Sequence, residues 1–72
     1  MAMGDLIERI IDRLHRTYPY AYCDDCLALD LMESNIERVT AAASEVATLD
    51  AFIRTRRECS RCGQTRQLTA LR

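Results

Sequence analysis

The sequence has no long apolar stretch, no lysine, one histidine, one proline and two glycines among its 72 residues. No apolar run approaches the roughly 18 residues that a membrane helix needs, so we expect no membrane role. No low-complexity tract interrupts a chain that is about half apolar, which is the composition of a single soluble domain spanning 1–72. The lone histidine, His15, lies on a helical pattern at no ligand spacing from other residues. We therefore expect neither an enzyme nor a small-molecule substrate.

Two Cys-x-x-Cys pairs stand out against this background: Cys23 with Cys26, and Cys59 with Cys62. Two thiolates three positions apart can bind one tetrahedral ion from a single turn, and two such turns complete its coordination. The four cysteines therefore predict one structural Zn²⁺ per chain, without an open position for substrate. An iron–sulfur cluster, or a redox or disulfide role, remains an alternative for the same residues.

Context favours zinc among these alternatives. Charged residues interrupt the apolar residues of the N-terminal segment 1–9, which is not the pattern of a signal peptide, so we expect a cytoplasmic protein. Disulfides are rare in that reducing compartment. A chain of this size also has a small core, and a structural metal would add about 10 to 16 kcal/mol to its folding.

Hydrophobic periodicity predicts three helices. Leu6, Ile10 and Leu14 recur at helical spacing in a first helix of about 4–17, which Pro19 ends. A second helix of about 24–33 begins in the first cysteine pair. The pattern Ser34-x-x-Glu37 predicts a capping box before a third helix of about 35–49, with a buried stripe of Ile36, Val39, Ala43, Val46 and either Ala47 or Leu49. We expect the tyrosines of 18–22 to pack over the metal site and helix ends, with base stacking as the alternative.

The last third of the chain predicts a β-hairpin of about 52–70 with the second cysteine pair at its tip. Gly63 follows Cys62 where a zinc knuckle often needs a residue that tolerates positive φ. The fold class is thus α+β and mostly helical: three helices, then a two-stranded hairpin, in the order of a winged helix-turn-helix, with zinc joining helix 2 to the hairpin tip.

At these residues the chain resembles a group of small, mostly uncharacterised bacterial proteins. They share a Tyr-Cys-Asp-Asp-Cys-Leu-Ala segment, here Tyr22 to Ala28, and a Phe-x-Arg…Cys-Ser-x-Cys-Gly…Thr hairpin, here at 52–54, 59–63 and Thr69. The resemblance covers about residues 18–71. It implies a zinc-stapled helix-turn-helix-like domain and brings no activity with it.

Charge is segregated along the chain. Residues 1–51 hold four arginines against ten acids, whereas 52–72 hold six arginines against Glu58 alone. This segregation and the element order predict a transcriptional regulator that binds double-stranded DNA. The predicted contacts are the base readers Asn35 and Arg38 of helix 3 and the hairpin residues Arg54, Arg56, Arg57, Arg61 and Arg66.

Two observations keep other interpretations open. The acids Glu37 and Glu45 on helix 3 would repel phosphate, and the arginines can be a solvated face balanced by the acidic helices. The alternative is a protein-interaction module in which the acidic helices bind a basic partner or a second copy of the chain.

Overall fold

The structure is a computed structural model and describes residues 3–72; residues 1 and 2 of the N-terminal segment considered above lie outside it. Three helices precede an antiparallel hairpin: α1 Met3–Thr17, α2 Asp24–Asp30, α3 Ile36–Val46, β1 Phe52–Glu58 and β2 Thr65–Leu71. The predicted α+β class and element order are confirmed. The strands pair in register from Phe52 with Leu71 to Glu58 with Thr65.

The apolar stripe of α1 is the centre of the main core. Leu6, Ile10 and Leu14 are buried and pack with residues of α2 and α3 and with Phe52 at the start of β1. The helix ends at Thr17, as expected from Pro19, which disfavours helical geometry in the residue before it.

The core face of α3 differs in part from the predicted stripe. Val39, Ala43 and Val46 are buried as expected, and so is Ala42, which was not in the stripe. Ile36 and Leu49 are each 45% exposed. The helix ends at Val46, and Thr48 and Leu49 continue in tight turns bonded to Glu45 and Val46. Leu49 therefore leaves the helical stripe.

The connection between α2 and α3 is longer than predicted. Helix α2 ends at Asp30 rather than near residue 33, because Met32 adopts a left-handed φ of 56°. Leu29, in the last turn of α2, and Met32, beyond its end, are 69% and 92% exposed. The chain thus turns outward here and presents apolar side chains to solvent.

Helix α3 is capped one residue later than the predicted capping box. The N-cap is Asn35, whose Oδ1 accepts a hydrogen bond from the backbone N–H of Arg38 at 3.3 Å. The carboxylate of Glu33, rather than that of Glu37, accepts from the Asn35 N–H at 3.2 Å. Asparagine is as good an N-cap as serine, so local geometry decided between adjacent candidates.

A third extended segment lies beside the hairpin. Cys23 forms an isolated antiparallel bridge with Leu68, so β2 has β1 on one side and residue 23 on the other. The prediction for the preceding tyrosines is wrong for two of them: Tyr18 and Tyr20 are 55% and 64% exposed, and only Tyr22 packs against the core. The bridge places the first cysteine pair at the edge of the hairpin.

Candidate metal centre

Two tight backbone turns position the four cysteines. Cys23 is the N-cap of α2 in extended geometry, and Cys26 follows in the first turn of that helix. Cys59 and Cys62 lie in the hairpin loop, where the N–H of Gly63 donates to the Cys59 carbonyl at 2.9 Å. Gly63 has φ of +75°, which confirms the prediction that this position needs a residue tolerating positive φ.

The four sulfur atoms converge on one point. All lie within 4.8 Å of one another, and the Sγ atoms of Cys23 and Cys62 are 3.9 Å apart. A Zn–S distance of about 2.3 Å would place the sulfurs of a tetrahedral site about 3.8 Å apart. The cluster is therefore compatible with a metal site of four thiolates, one pair from α2 and one from the hairpin tip.

None of the four cysteines forms a disulfide, and they differ in exposure. Cys23, Cys26 and Cys59 are buried, whereas Cys62 is exposed. The remaining buried residues around them are small or few, namely Ala21, Ala70 and Leu68. Three of the four cysteines are thus buried in the domain, and Cys62 is the one whose residue is exposed.

Backbone N–H groups point at the Cys59 sulfur. The N–H of Cys23 donates to it at 3.3 Å and that of Arg61 at 3.4 Å. Burial raises the pKa of Cys59, but backbone N–H donors from Cys62, Cys23 and Arg61 outweigh it and lower the pKa to about 6. Cys59 is therefore largely a thiolate at neutral pH.

The first cysteine pair behaves in the opposite way. Burial raises the pKa of both Cys23 and Cys26, and for Cys26 the neighbouring sulfurs raise it further. Both thiols therefore stay protonated at neutral pH until a bound cation displaces the protons. A metal ion supplies the positive charge that several buried thiolates in contact require.

A short pairing of backbone fastens the connector before α2 to the hairpin tip. The N–H of Ser60 donates to the carbonyl of Ala21 at 3.0 Å, and the Ser60 hydroxyl accepts from the Ala21 N–H at 3.4 Å. Together with the bond from the Cys23 N–H to the Cys59 sulfur, these bonds hold the two cysteine turns against each other.

The sequence analysis did not identify a partly buried polar network beside the cysteines. Both guanidinium NH₂ groups of Arg54 donate to the Asp24 carboxylate, at 2.7 and 3.1 Å. Asp24 also accepts from the Thr40 hydroxyl at 2.9 Å, and Arg54 donates to the Thr69 hydroxyl at 2.9 Å. The network joins α2, α3 and both strands. The alternation of side chains along β1 could have indicated it, since Arg54 lies on the same inward face as Phe52.

The structure gives most of the predicted nucleic-acid residues a partner within the chain. Arg54 is only 17% exposed and pairs with Asp24, so its guanidinium already has an acidic partner. Arg38 pairs with Glu33, Arg61 with Asp30 and Arg66 with Asp25. Asn35 caps α3.

Two arginines of the hairpin differ from the others. Arg56 and Arg57 are exposed, and within residues 3–72 neither forms an ion pair. Arg57 lies directly across the hairpin from Arg66. Arg56 lies across from Gln67, and both line an open polar cleft of about 470 Å³ that is also lined by Thr40 and Cys23.

Comparisons of the chain with known protein families, curated proteins and solved structures gave no match. The resemblance stated above therefore stays a prediction. Among the helices in residues 3–72, none has the length and hydrophobicity to cross a membrane.

Proposed function

We propose that the four cysteines bind one Zn²⁺ per chain and that the ion is structural. Sulfur spacing and the all-thiolate ligand set support zinc, which takes four cysteines in closed tetrahedral sites. Four protein ligands leave no position for a substrate. An iron–sulfur cluster uses the same ligand type and is the alternative that metal analysis distinguishes.

The metal would hold the hairpin to the helices. Cys23 and Cys26 belong to the start of α2, and Cys59 and Cys62 to the loop between β1 and β2. The experiment is metal analysis of the purified chain and of Cys23→Ser and Cys59→Ser. One zinc per chain, lost together with folded-state NMR signals in both variants, is expected. Retention of a folded hairpin in Cys23→Ser would contradict the shared site.

We further propose that the domain binds double-stranded DNA through its hairpin, as a winged helix-turn-helix regulator would. The supporting observation is that Arg56 and Arg57 form no ion pair within the described chain. Arg57 lies directly across the strand pair from Arg66. Arg57 and Arg66 share one face of the two-stranded ribbon and Arg56 lies on the other face. Exposed arginines at this end of the ribbon provide contacts for phosphates.

The exposed face of α3 favours the hairpin over this helix as the main contact. Glu37, Ala41, Ser44 and Glu45 are exposed, and Asn35 is engaged as the N-cap. Two carboxylates on such a face oppose the approach of a phosphate backbone. We therefore assign the affinity to Arg56 and Arg57, and a smaller part to Arg66 and Arg61.

The test is fluorescence anisotropy with mixed-sequence duplex DNA at two salt concentrations. The double variant Arg56→Ala/Arg57→Ala should weaken binding about equally for all sequences, with a salt slope lower by about one per arginine removed. Arg16→Ala is the control, because Arg16 is an exposed arginine on α1 that pairs with Asp12. Equal effects of Arg57→Ala and Arg16→Ala, or no binding at low salt, would contradict DNA binding through the hairpin.

A protein-interaction module is the second candidate, and one observation favours it. Leu29, Met32 and Ile36 expose apolar side chains at the connection between α2 and α3. Exposed apolar groups near one another are typical of interaction surfaces. Sedimentation velocity of the zinc-loaded chain and of Met32→Glu tests self-association: a dimer that Met32→Glu abolishes would support it, and a monomer at all concentrations would leave only a different partner protein.

A further inference from the structure

We propose that Cys62 is an oxidation site and that peroxide converts the cluster into a Cys23–Cys62 disulfide with loss of the metal. This inference rests on the proposed four-thiolate metal site. It adds a chemical modification of that site by a defined class of oxidant, a hydroperoxide.

Cys62 differs from the other three cysteines in its exposure to solvent. Its residue is exposed, whereas Cys23, Cys26 and Cys59 are buried. The residues beside it in the loop, Arg61 and Gly63, are exposed as well. A small oxidant in solvent therefore reaches the Cys62 sulfur first, and oxidation of cysteine follows thiolate character and exposure.

Cys23 offers a second sulfur at short range. The two Sγ atoms are 3.9 Å apart, and a disulfide bond is about 2.0 Å long, so the sulfurs must approach by about 1.9 Å. Cys62 lies in an exposed turn that can supply this movement. Cys59 is the less suitable partner, because the N–H groups of Cys23 and Arg61 already donate to its sulfur.

The reaction balances in two steps. The Cys62 thiolate attacks one oxygen of hydrogen peroxide; an S–O bond forms, the O–O bond breaks and hydroxide leaves, so sulfur is oxidised to a sulfenic acid as peroxide is reduced. The Cys23 thiolate then attacks the Cys62 sulfur; the S–S bond forms, the S–O bond breaks and a second hydroxide leaves. Only Cys26 and Cys59 remain as thiolate ligands, so we expect the metal to dissociate.

This disulfide joins the same two elements as the metal did. Cys23 is at the start of α2 and Cys62 is in the hairpin loop, so a covalent link would replace the metal link between them. Cys26 and Cys59 would be left as free thiols. Oxidation would therefore release metal while the hairpin stays attached to the helices.

The test treats zinc-loaded protein with hydrogen peroxide after its zinc content has been measured. Zinc release is followed with a chromogenic chelator. The intact mass is read by mass spectrometry before alkylation, and the disulfide-linked peptides are read after alkylation of the remaining thiols. We expect one zinc released per chain, a mass lower by about 2 Da for the two hydrogens of one disulfide, and a linked peptide pair containing Cys23 and Cys62.

Two matched variants sharpen the assignment, because histidine can replace a cysteine as a zinc ligand. Cys62→His should lose the linked peptide and release zinc more slowly, whereas Cys26→His should keep both. A disulfide within either Cys-x-x-Cys pair, or equal release from both variants, would overturn the inference. Absence of zinc in the untreated protein would instead overturn the proposed metal site.

Discussion

The two buried regions of this small domain are built from different kinds of side chain. The helical core consists mainly of leucine, isoleucine and valine from α1, α2 and α3, closed by Phe52. The cysteine region contains three buried cysteines, two alanines and Leu68. Burying a methylene group stabilises a protein by about 0.8 kcal/mol, so the cysteine region gains little from apolar burial. It needs another source of stability, and a metal ion is the one its side chains can bind.

The two regions are nevertheless continuous. Tyr22 packs against both. Strand β2 also serves both, because Leu68 and Ala70 lie in the cysteine region while Leu71 packs on the helical core. The buried hydroxyl of Thr69 donates to the carbonyl of Ala43 in α3 at 3.3 Å. We therefore expect loss of one region to weaken the other.

Removal of the metal should have the largest effect. A structural zinc contributes about 10 to 16 kcal/mol to folding at neutral pH, more than a domain of this size gains from its core. A chelator should therefore unfold both regions together. Circular dichroism and NMR with and without chelator measure this, and native helix signals that persist in the metal-free protein would show that the helical core is independent.

Creating a cavity in the helical core should have the next largest effect on stability. Leu27 is fully buried in α2, and Leu27→Ala should lower the free energy of unfolding by about 3 kcal/mol. Leu29→Ala on the same helix is the control, because Leu29 is mostly exposed. Denaturant unfolding at fixed zinc concentration compares the two. A similar cost for both variants would contradict the placement of α2.

Metal affinity should rise with pH, because the thiols of the first cysteine pair must lose their protons to bind metal. Burial raises the pKa of Cys23 and Cys26, so both thiols are protonated at neutral pH and must lose their protons to bind metal. With at least the two protons of this pair released, affinity should rise at least about 100-fold per pH unit, and acid should expel the metal. Competition titration with a chelator of known affinity between pH 6 and 8 measures the slope, and a slope near zero would contradict protonated thiols.

Breaking the partly buried ion pair between Arg54 and Asp24 should have a smaller effect. Arg54→Met leaves the Asp24 carboxylate with Thr40 as its remaining side-chain donor. We expect a loss of about 2 kcal/mol, below the value for fully buried pairs because these side chains are 17% and 12% exposed. The control is Arg16→Met, which removes an exposed pair with Asp12 and should change stability little. Equal stability of both variants would contradict the network.

The helix cap should give the smallest change. Asn35→Ala removes the acceptor for the Arg38 N–H and should cost about 1 kcal/mol, whereas Ser34→Ala should be nearly neutral. Thermal unfolding of both variants distinguishes the two adjacent positions. The reverse order would restore the cap position that the sequence pattern predicted.

Much of the fold was predictable because it depends on local signals. Apolar spacing fixes the face of α1, Pro19 its end, and the Cys-x-x-Cys-Gly pattern the hairpin tip with positive φ at Gly63. The convergence of the cysteines also followed from spacing, because two such turns complete a tetrahedral ligand set.

Other features depend on tertiary contacts that no local pattern encodes. Asp24 lies in the first turn of α2, yet its partners Arg54 and Thr40 come from β1 and α3. The exposure of Tyr18 and Tyr20 and the outward turn at Met32 are set by how the segments pack. The same long-range pairing distinguishes Arg54, which forms an ion pair with Asp24, from Arg56 and Arg57.

The most direct test of the account is X-ray absorption at the zinc edge on protein purified without added chelator. We predict one zinc per chain with four sulfur ligands at about 2.3 Å and no nitrogen or oxygen ligand. A protein that folds and keeps its hairpin without metal, or a zinc ion with fewer than four sulfur ligands, would contradict the claim that the cysteine region is stabilised by a closed four-thiolate site.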